Sequence, residues 1–533
     1  MTQINRRGLL AAGAFIGGTT LSKAQPLVVE SLPTSSASQE DLARQPVAFW
    51  NEVGIDLLAL DHSIPITNPT LPADKLPVRA VGPCASARAI GVLQLVVADA
   101  VKSSYPNVRY NAFLKDDADK SVEAPALYVG GAAAAILQYM FRTPAHAFLI
   151  DRAREAYLRY HGREDLSDWA KGWKFGSQKV FRDLYAWTDI WERIRPNAAN
   201  YTPPARGHNV DPYNCQQGFY GQTWGAQPPL VLTTAETTGA CAPPAPPREG
   251  TPDYERDLAE VRVLGSLKGS PQDPRRTIDQ ERVGVFWAYD GARLLGTPPR
   301  FYNQILRKIA AADRMSVQQQ ARMFALCNLA MADAGIVAWG AKFNHKVWRP
   351  VLGIQQHATA PDANWKPLGA PKTNREDFAL GTADVAITAQ GLLGGASIAT
   401  NVTAADKCKS DPAYAAAAFT PNFPAYPSGH ATFGTACFDM LRRVRAETAK
   451  RPKEADAIDL RITSDELNGV TVDNFKDDTR PLRPVRFDSI EDLIEANKAS
   501  RVHLGVHWKF DAEGGDAAGR KIADTIYARA YLP

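Results

Sequence analysis

The chain has little of what marks several large protein classes. It carries only six cysteines, Cys84, Cys215, Cys241, Cys327, Cys408 and Cys437, and no two of them form a Cys-x-x-Cys pair. That argues against a zinc site. No Lys/Arg-rich run occurs and the formal net charge is only +4, so nucleic acid is not an implied partner. After the N-terminal segment there is no run of about 18 consecutive apolar residues, so no membrane insertion of the mature chain is expected. Hairpin series, β-α-β alternation and internal repeats are all missing. What remains is the composition of a soluble globular protein, 45% hydrophobic and 22% charged, in a chain of 533 residues that can bury a large core.

The N-terminus reads MTQINRRGLLAAGAFIGGTTLSKAQ. Arg6 and Arg7 precede a mildly apolar, glycine-rich run ending at Leu21, and Ser22-Lys23-Ala24 offers small residues for cleavage. This is the grammar of a twin-arginine signal peptide over residues 1–24; the alternative is a short basic tail. The signal reading makes the twin-arginine export machinery a partner and the mature chain periplasmic or secreted. An oxidising compartment permits disulfides, and Cys215 with Cys241 is the first pairing to consider. Cys327 and Cys437 fall inside apolar helical patterns and read as core.

Apolar spacing is helical over residues 84–101, 130–159, 316–341 (with Ser316 as N-cap), 431–447, 488–503 and 512–531. An all-α fold is expected. Residues 200–252 and 357–427 are rich in Pro, Asn, Gly and Ala, and loops of such length are uncommon unless they line a site or are disordered. One α-helical unit over residues 25–533 is preferred to a split near residue 270.

Three motifs follow in order in the C-terminal half: Lys342-x6-Arg349-Pro350, Pro427-Ser428-Gly429-His430, and Ser500-Arg501-x5-His507-x3-Asp511. Lys342, Arg349 and Arg501 bring three cations. Ser428 adds a hydroxyl, and Gly429 an amide that an anion can approach closely. The sequence after His430 reads as a helix, whose N-terminus favours anions. The set suits a small oxyanion; three cations would repel magnesium or calcium. His507 can present one ring nitrogen to the central atom while Asp511 or a backbone carbonyl sets its tautomer. His430, at the helix start, suits a general acid or base.

Together these motifs resemble those shared by vanadium-dependent haloperoxidases and the acid phosphatases of the type 2 phosphatidic acid phosphatase superfamily. FPAYPSGHATFG and SRVHLGVHWKFDAEGG are more similar to the haloperoxidase branch, and AFWNEVGIDLLAL and FWAYDGARLLGTPPRFYNQI extend the likeness upstream. The resemblance implies helical bundles with long surface loops and a site within residues 286–515. It implies vanadate as cofactor, with His507 as the axial metal ligand. Lys342, Arg349 and Arg501 would neutralise the equatorial oxygens with help from Ser428 and Gly429, and His430 would handle the peroxide proton. Trp339 and Phe423 would form a halide pocket, and Asp290 would orient Arg501. Two histidines depart from the pattern, His345 and His503, and the loop between the first two motifs is long.

The implied activity is oxidation of halide by hydrogen peroxide to hypohalous acid, with chloride or bromide as halide and a small organic acceptor. Lys342 polarises the peroxide in this scheme, beside His430 and His507 as catalytic residues. Two other readings stay open. An acid phosphatase would use His507 as nucleophile, forming a phosphohistidine. A non-catalytic exported oxyanion-binding protein would need the same cations but no general acid at His430. Singly, each motif also has a bland explanation: a loop entering a helix, a helix end with solvated cations, a core histidine. Trp339 alone would read as core.

Overall fold

The computed structural model describes residues 44–62, 81–114, 121–161, 165–182, 201–215, 217–268, 276–292, 295–372, 409–469, 471–473, 475–476 and 478–532. The expected signal peptide over residues 1–24, Cys408 and much of the 357–427 loop lie outside the described residues.

The fold is mostly helical, and proline sets many of the starts. Pro46–Asp61, Pro83–Ser104, Pro125–Met140, Pro252–Leu264 and Pro298–Ala312 each begin with proline. Its missing N–H costs nothing at that position and its fixed φ is already helical. The expected segment 130–159 is two helices, Pro125–Met140 and Pro144–His161. The break falls at Pro144, which cannot donate to the preceding turn. The helix expected from Ser316 runs Val317–His345 and opens with a Ser316/Gln319 capping box.

Strand content is confined, among the described residues, to three two-stranded antiparallel ribbons. The longest pairs Ala457–Thr463 with Pro484–Ser489, setting Leu460 opposite Phe487 and Ile462 opposite Val485. Leu460, Ile462 and Phe487 face the main core and most of their neighbours are exposed. No hairpin signal announces this ribbon, because the segment between its strands is far longer than a tight turn.

One apolar core extends from Val47 to Tyr531. Val317–His345 runs through its centre and packs on Pro83–Ser104, Gly429–Ala446 and Lys509–Tyr527. Pro83–Ser104 and the Val317 helix are long and apolar enough to cross a membrane, but their apolar windows are 100% and 94% buried inside the fold, as core helices are. The pairing of Cys215 with Cys241 is corrected. Cys215 is disulfide-bonded, whereas Cys241 is a free buried thiol, 3.7 Å from Thr525 Oγ1. Cys327 and Cys437 are buried free thiols, as core residues would be.

Two glycines set the distance between the helices that carry the second and third motifs. A Cβ at Gly515 would stand 2.8 Å from the Ser428 carbonyl oxygen, and one at Gly519 2.7 Å from Thr435 Cβ and 2.9 Å from Ala436 N. Lys509–Tyr527 therefore lies backbone against backbone on Gly429–Ala446. Gly519→Ala is expected to push these helices apart and lower stability by about 1–3 kcal/mol, the usual range for overpacking. Urea unfolding monitored by circular dichroism measures this; an unchanged midpoint would refute the tight-contact account.

Candidate active site

Each motif sits where one element ends and another begins. Lys342 lies in the last turn of Val317–His345; Lys346 then takes a left-handed conformation and Arg349 caps Pro350–Gln355. Ser428 caps Gly429–Ala446, its Oγ accepting the Ala431 N–H at 3.4 Å. Arg501 lies in the last turn of Ile490–His503, and His507 in the link before Lys509–Tyr527. Tyr302 Oη and Asn497 Nδ2 donate to the His430 carbonyl at 3.1 and 2.8 Å, and the Ser428 N–H donates to the Asp511 carbonyl at 2.8 Å. These bonds tie the second and third motifs together.

All three cations are buried. Arg501 donates twice to Asp290, at 2.7 and 3.1 Å, and its Nε has no hydrogen-bond partner among the described residues. Arg349 donates from Nε to the Phe423 carbonyl at 3.0 Å and from Nη1 to the Val506 carbonyl at 2.8 Å. Its Nη2 is likewise unpartnered among the described residues. Lys342 Nζ donates to the carbonyls of Pro424, Ala425 and Pro427. Its three protons are thus spent on the loop that leads to Ser428, and what it offers the site is charge. Burial pushes the Lys342 ammonium well below its usual range, Arg349 adds to the shift and Asp511 opposes it. Burial also brings Arg349 down to about 9.

The hydrogen bonds fix the tautomer of His507. Nδ1 lies 2.8 Å from Asp511 Oδ2, which as an acceptor requires Nδ1–H. Nε2 lies 2.8 Å from Arg349 Nη1, a donor, and so carries the lone pair. Burial and then Arg349, Lys342 and Arg501 hold this histidine well below its ordinary value, which keeps the ring neutral. Asp511 Oδ2 also accepts the Trp508 N–H at 3.0 Å. Burial pushes the Asp511 carboxyl up to about 7, against the pull of Lys342. His430 Nε2 donates to the Ala288 carbonyl at 2.6 Å, so in the neutral ring Nδ1 carries the lone pair. Burial depresses its basicity first and Arg501 second.

In front of this cluster opens a cavity of about 210 Å³ lined by Arg501, His507, His430, Gly429 and Asp290, and by aromatic rings. Trp339 and Phe423 pack 4.7 Å apart, centroid to centroid, and both face it. Lys342, Arg349 and Ser428 stand behind these residues, not on the cavity surface. His345 packs edge-on to Tyr426 at 5.5 Å, and burial takes His503 down to about 4; neither lines the cavity. Tyr220, Thr297 and Phe433 line it and were not singled out from sequence. Phe433 had a usable signal, since it stands three residues after His430 on one helix. A larger cavity, about 580 Å³, lies elsewhere, between Arg109, Arg322 and Arg445. Arg322 is paired with Glu447 and Arg445 with Asp313, and no motif residue reaches it.

Orphaned donors on Arg349 and Arg501, an oriented imidazole lone pair, a capping serine and a helix N-terminus fit a small oxyanion. They do not fit a bare cation, and no cluster of His, Cys, Asp or Glu able to hold one occurs among the described residues.

Comparison with known proteins points to one family. Residues 322–532 match the family model described as the VCPO second helical-bundle domain. The vanadium chloroperoxidase of Curvularia inaequalis is 31% identical, over 89% of this chain and 80% of that protein. Among solved structures, a bacterial vanadium-dependent iodoperoxidase superposes with a TM-score of 0.59 at 17% identity, covering 92% of this chain and 97% of that one. A holo-type bacterial vanadium-dependent chloroperoxidase gives 0.53 at 15% identity, covering 87% and 94%. At such identities these two structures speak to the fold alone.

Two outcomes are expected of the site as built. Asp511→Ala removes the acceptor that sets the His507 tautomer, and should weaken binding of inorganic vanadate about 10- to 100-fold, as loss of such supporting carboxylates does. Calorimetric titration measures this; unchanged affinity would mean that Asp511 does not prepare His507. The second outcome concerns pH. His208, His345, His430, His503 and His507 all bind protons less readily in the fold than in solution. Below roughly pH 6.5 the unfolded chain takes up protons that the folded chain refuses, so stability present above that pH is lost as the pH falls. Asp290, Asp333 and Asp511, pushed up by burial, act in the opposite sense but are fewer. The thermal midpoint should therefore drop between pH 7 and 5, and a flat or rising midpoint would contradict the buried neutral histidines.

Proposed function

The chain belongs to the vanadium haloperoxidase family, and from that membership we propose that it oxidises halide, chloride or bromide, with hydrogen peroxide to hypohalous acid. Vanadate is the cofactor in this reading, held by His507, Lys342, Arg349, Ser428, Gly429 and Arg501. The observation that carries it is the His507 ring, fixed by Asp511, with its lone pair turned to the buried Arg349 guanidinium. When bound, vanadate supplies Lewis acidity to peroxide without changing oxidation state.

The chain's own residues do the rest. His507 offers Nε2 as the metal ligand, which requires the Arg349 Nη1 now bonded to it to yield. Arg349 and Arg501 bring unpartnered donors to the oxyanion, Ser428 a hydroxyl whose proton is uncommitted by its capping bond, and Gly429 an amide at a helix start. Lys342 adds charge and holds the Pro424–Pro427 loop in place. His430 takes and returns the peroxide proton at Nδ1, its ring oriented by the Ala288 carbonyl. Trp339 and Phe423 give the halide a dry aromatic flank. Asp290 is the positioning residue for Arg501. We place the mature protein outside the cytoplasm, periplasmic or secreted, on the strength of Arg6-Arg7 and the apolar run that follows.

Protein prepared without phosphate should halogenate a freely diffusing diketone acceptor when given vanadate, peroxide and chloride or bromide. His430→Ala should keep vanadate binding and lose about 10²- to 10⁴-fold in kcat, the usual contribution of a positioned acid or base. A parallel assay with a phosphate ester tests the acid phosphatase reading, in which His507 would be the nucleophile. Ester hydrolysis without halide oxidation would reverse the assignment, and unchanged turnover in His430→Ala would remove that residue from the mechanism.

A further inference from the structure

Two groups that steady the site from outside its three motifs flank a single residue. The Ala288 carbonyl accepts from His430 Nε2 at 2.6 Å, and the Asp290 carboxylate accepts twice from Arg501, at 2.7 and 3.1 Å. Between them stands Tyr289, with φ 41°. A bulky side chain rarely adopts that left-handed conformation, because its Cβ crowds a carbonyl oxygen. Such a conformation persists only where the surroundings over-determine it, and it is concentrated where function needs a fixed geometry.

What over-determines it lies far away in sequence. The Tyr289 N–H donates to Glu466 Oε1 at 3.3 Å, and Tyr289 Oη accepts the Asp465 N–H at 2.9 Å. The ring stacks on Phe301, 4.8 Å between centroids and 8° from parallel. Residues 465 and 466 are themselves anchored. Glu466 is fully buried and its Oε2 accepts from Arg480 Nη1 at 2.5 Å, while the Asp465 carboxylate pairs with Arg300. Both acids belong to the short turn Asp465–Leu467, which follows the first strand of the long ribbon, and Arg480 precedes the second strand. The segment enclosed by that ribbon therefore reaches the site through one tyrosine, although none of Asp465, Glu466 and Arg480 lines the cavity.

The two oxygens of Glu466 have separate tasks. One meets the Arg480 charge and the other meets a buried backbone N–H, which needs an acceptor wherever water is excluded. An ionised acceptor also makes the stronger bond. Without it, the left-handed turn would keep its strain and lose the contact that offsets it. We propose that Glu466 is a positioning residue that acts through Tyr289: its carboxylate holds the turn at 288–290, and the turn aims the Ala288 carbonyl at His430 and the Asp290 carboxylate at Arg501. That His430 and Arg501 serve peroxide and vanadate rests on the haloperoxidase reading; the link from Glu466 to the turn does not.

Removing Glu466 alone would strand the Arg480 charge, and misfolding would then mask any misalignment. Two double variants of the full-length protein avoid this. Glu466→Gln with Arg480→Met keeps an oxygen for the Tyr289 N–H. Glu466→Met with Arg480→Met has nearly the same shape and no such oxygen. Both lose the ion pair alike. Each is titrated calorimetrically with inorganic vanadate and, separately, with inorganic phosphate, and amide hydrogen exchange is followed by mass spectrometry. The glutamine variant should bind both anions within about threefold of the wild-type chain and the methionine variant about 10- to 100-fold more weakly, the range for losing a supporting partner at such a site. Exchange should quicken in the peptide spanning residues 286–292 of the methionine variant. Equal affinities in the two variants, or exchange that quickens evenly across the fold, would overturn the proposal. Phosphate binding and hydrogen exchange need neither peroxide nor halide. A failed diketone assay would therefore count against the haloperoxidase reading and leave this comparison standing.

Discussion

Lys342, Arg349 and Arg501 form one buried cluster with almost no access to water, and much of the surrounding structure answers to the cost of keeping them there. Removing an ion from water costs several kcal/mol even after relaxation. Each cation is offset in a different way. Arg501 has a full carboxylate in Asp290, Lys342 has three carbonyls, and Arg349 has two carbonyls and the lone pair of His507. Among the described residues, Asp290 and Asp511 bring the compensating carboxylate charge at close range. The shifts reflect the shortfall: burial drags Lys342 and Arg349 down and holds His430 and His507 neutral. A site in this condition is preorganised for an anion, because bound negative charge relieves several unfavourable terms at once and nothing has to be reoriented from solvent.

The scaffold keeps these groups from relaxing apart. The first motif emerges from the buried central helix, and the second and third from helices in backbone contact through Gly515 and Gly519. Below them, buried polar side chains join elements far apart in sequence. Asn51, Asn303 and Asn328 form a chain of amides, and the Asp333 carboxylate accepts the N–H groups of Leu230, Val231 and Leu232. Asp333 thereby fixes the segment following Tyr220 against the helix that carries Trp339. Such networks are costly when half satisfied, so they select one arrangement of the helices over near neighbours.

What could be read from sequence divides along a physical line. Helix starts were legible where chemistry is local, as at the N-cap Ser316, and the motif residues were legible because charge, hydroxyl and imidazole recur at fixed spacing. Pro144 shows the limit of periodicity: apolar residues continue through 130–159, yet one absent N–H divides the helix. The Cys215–Cys241 pairing failed because proximity in sequence says nothing about where two loops meet. The carbonyl cage around Lys342 was likewise illegible, since backbone acceptors carry no sequence signature. The cavity wall was legible only in part: Trp339 and Phe423 stand near the motifs, whereas Tyr220 and Thr297 come from separate elements and meet them only in the fold.

The site is therefore two-sided, and the sides ask for different things. Behind Gly429 and His507 lie the donors, matched to a small anion and hostile to apolar groups. In front lie rings, matched to polarisable or apolar matter and nearly empty of free charge. His430 and Arg501 stand on the boundary, bonded to the Ala288 carbonyl and to Asp290. A surface of this kind lays apolar rings in front of the donors without placing a competing anion binder there. In a low-dielectric setting the charges behind it act at greater strength than they would beside solvent. The aromatic wall thus serves the electrostatics of the basic pocket as much as any ligand of its own, which is a physical reason for the two to be built together.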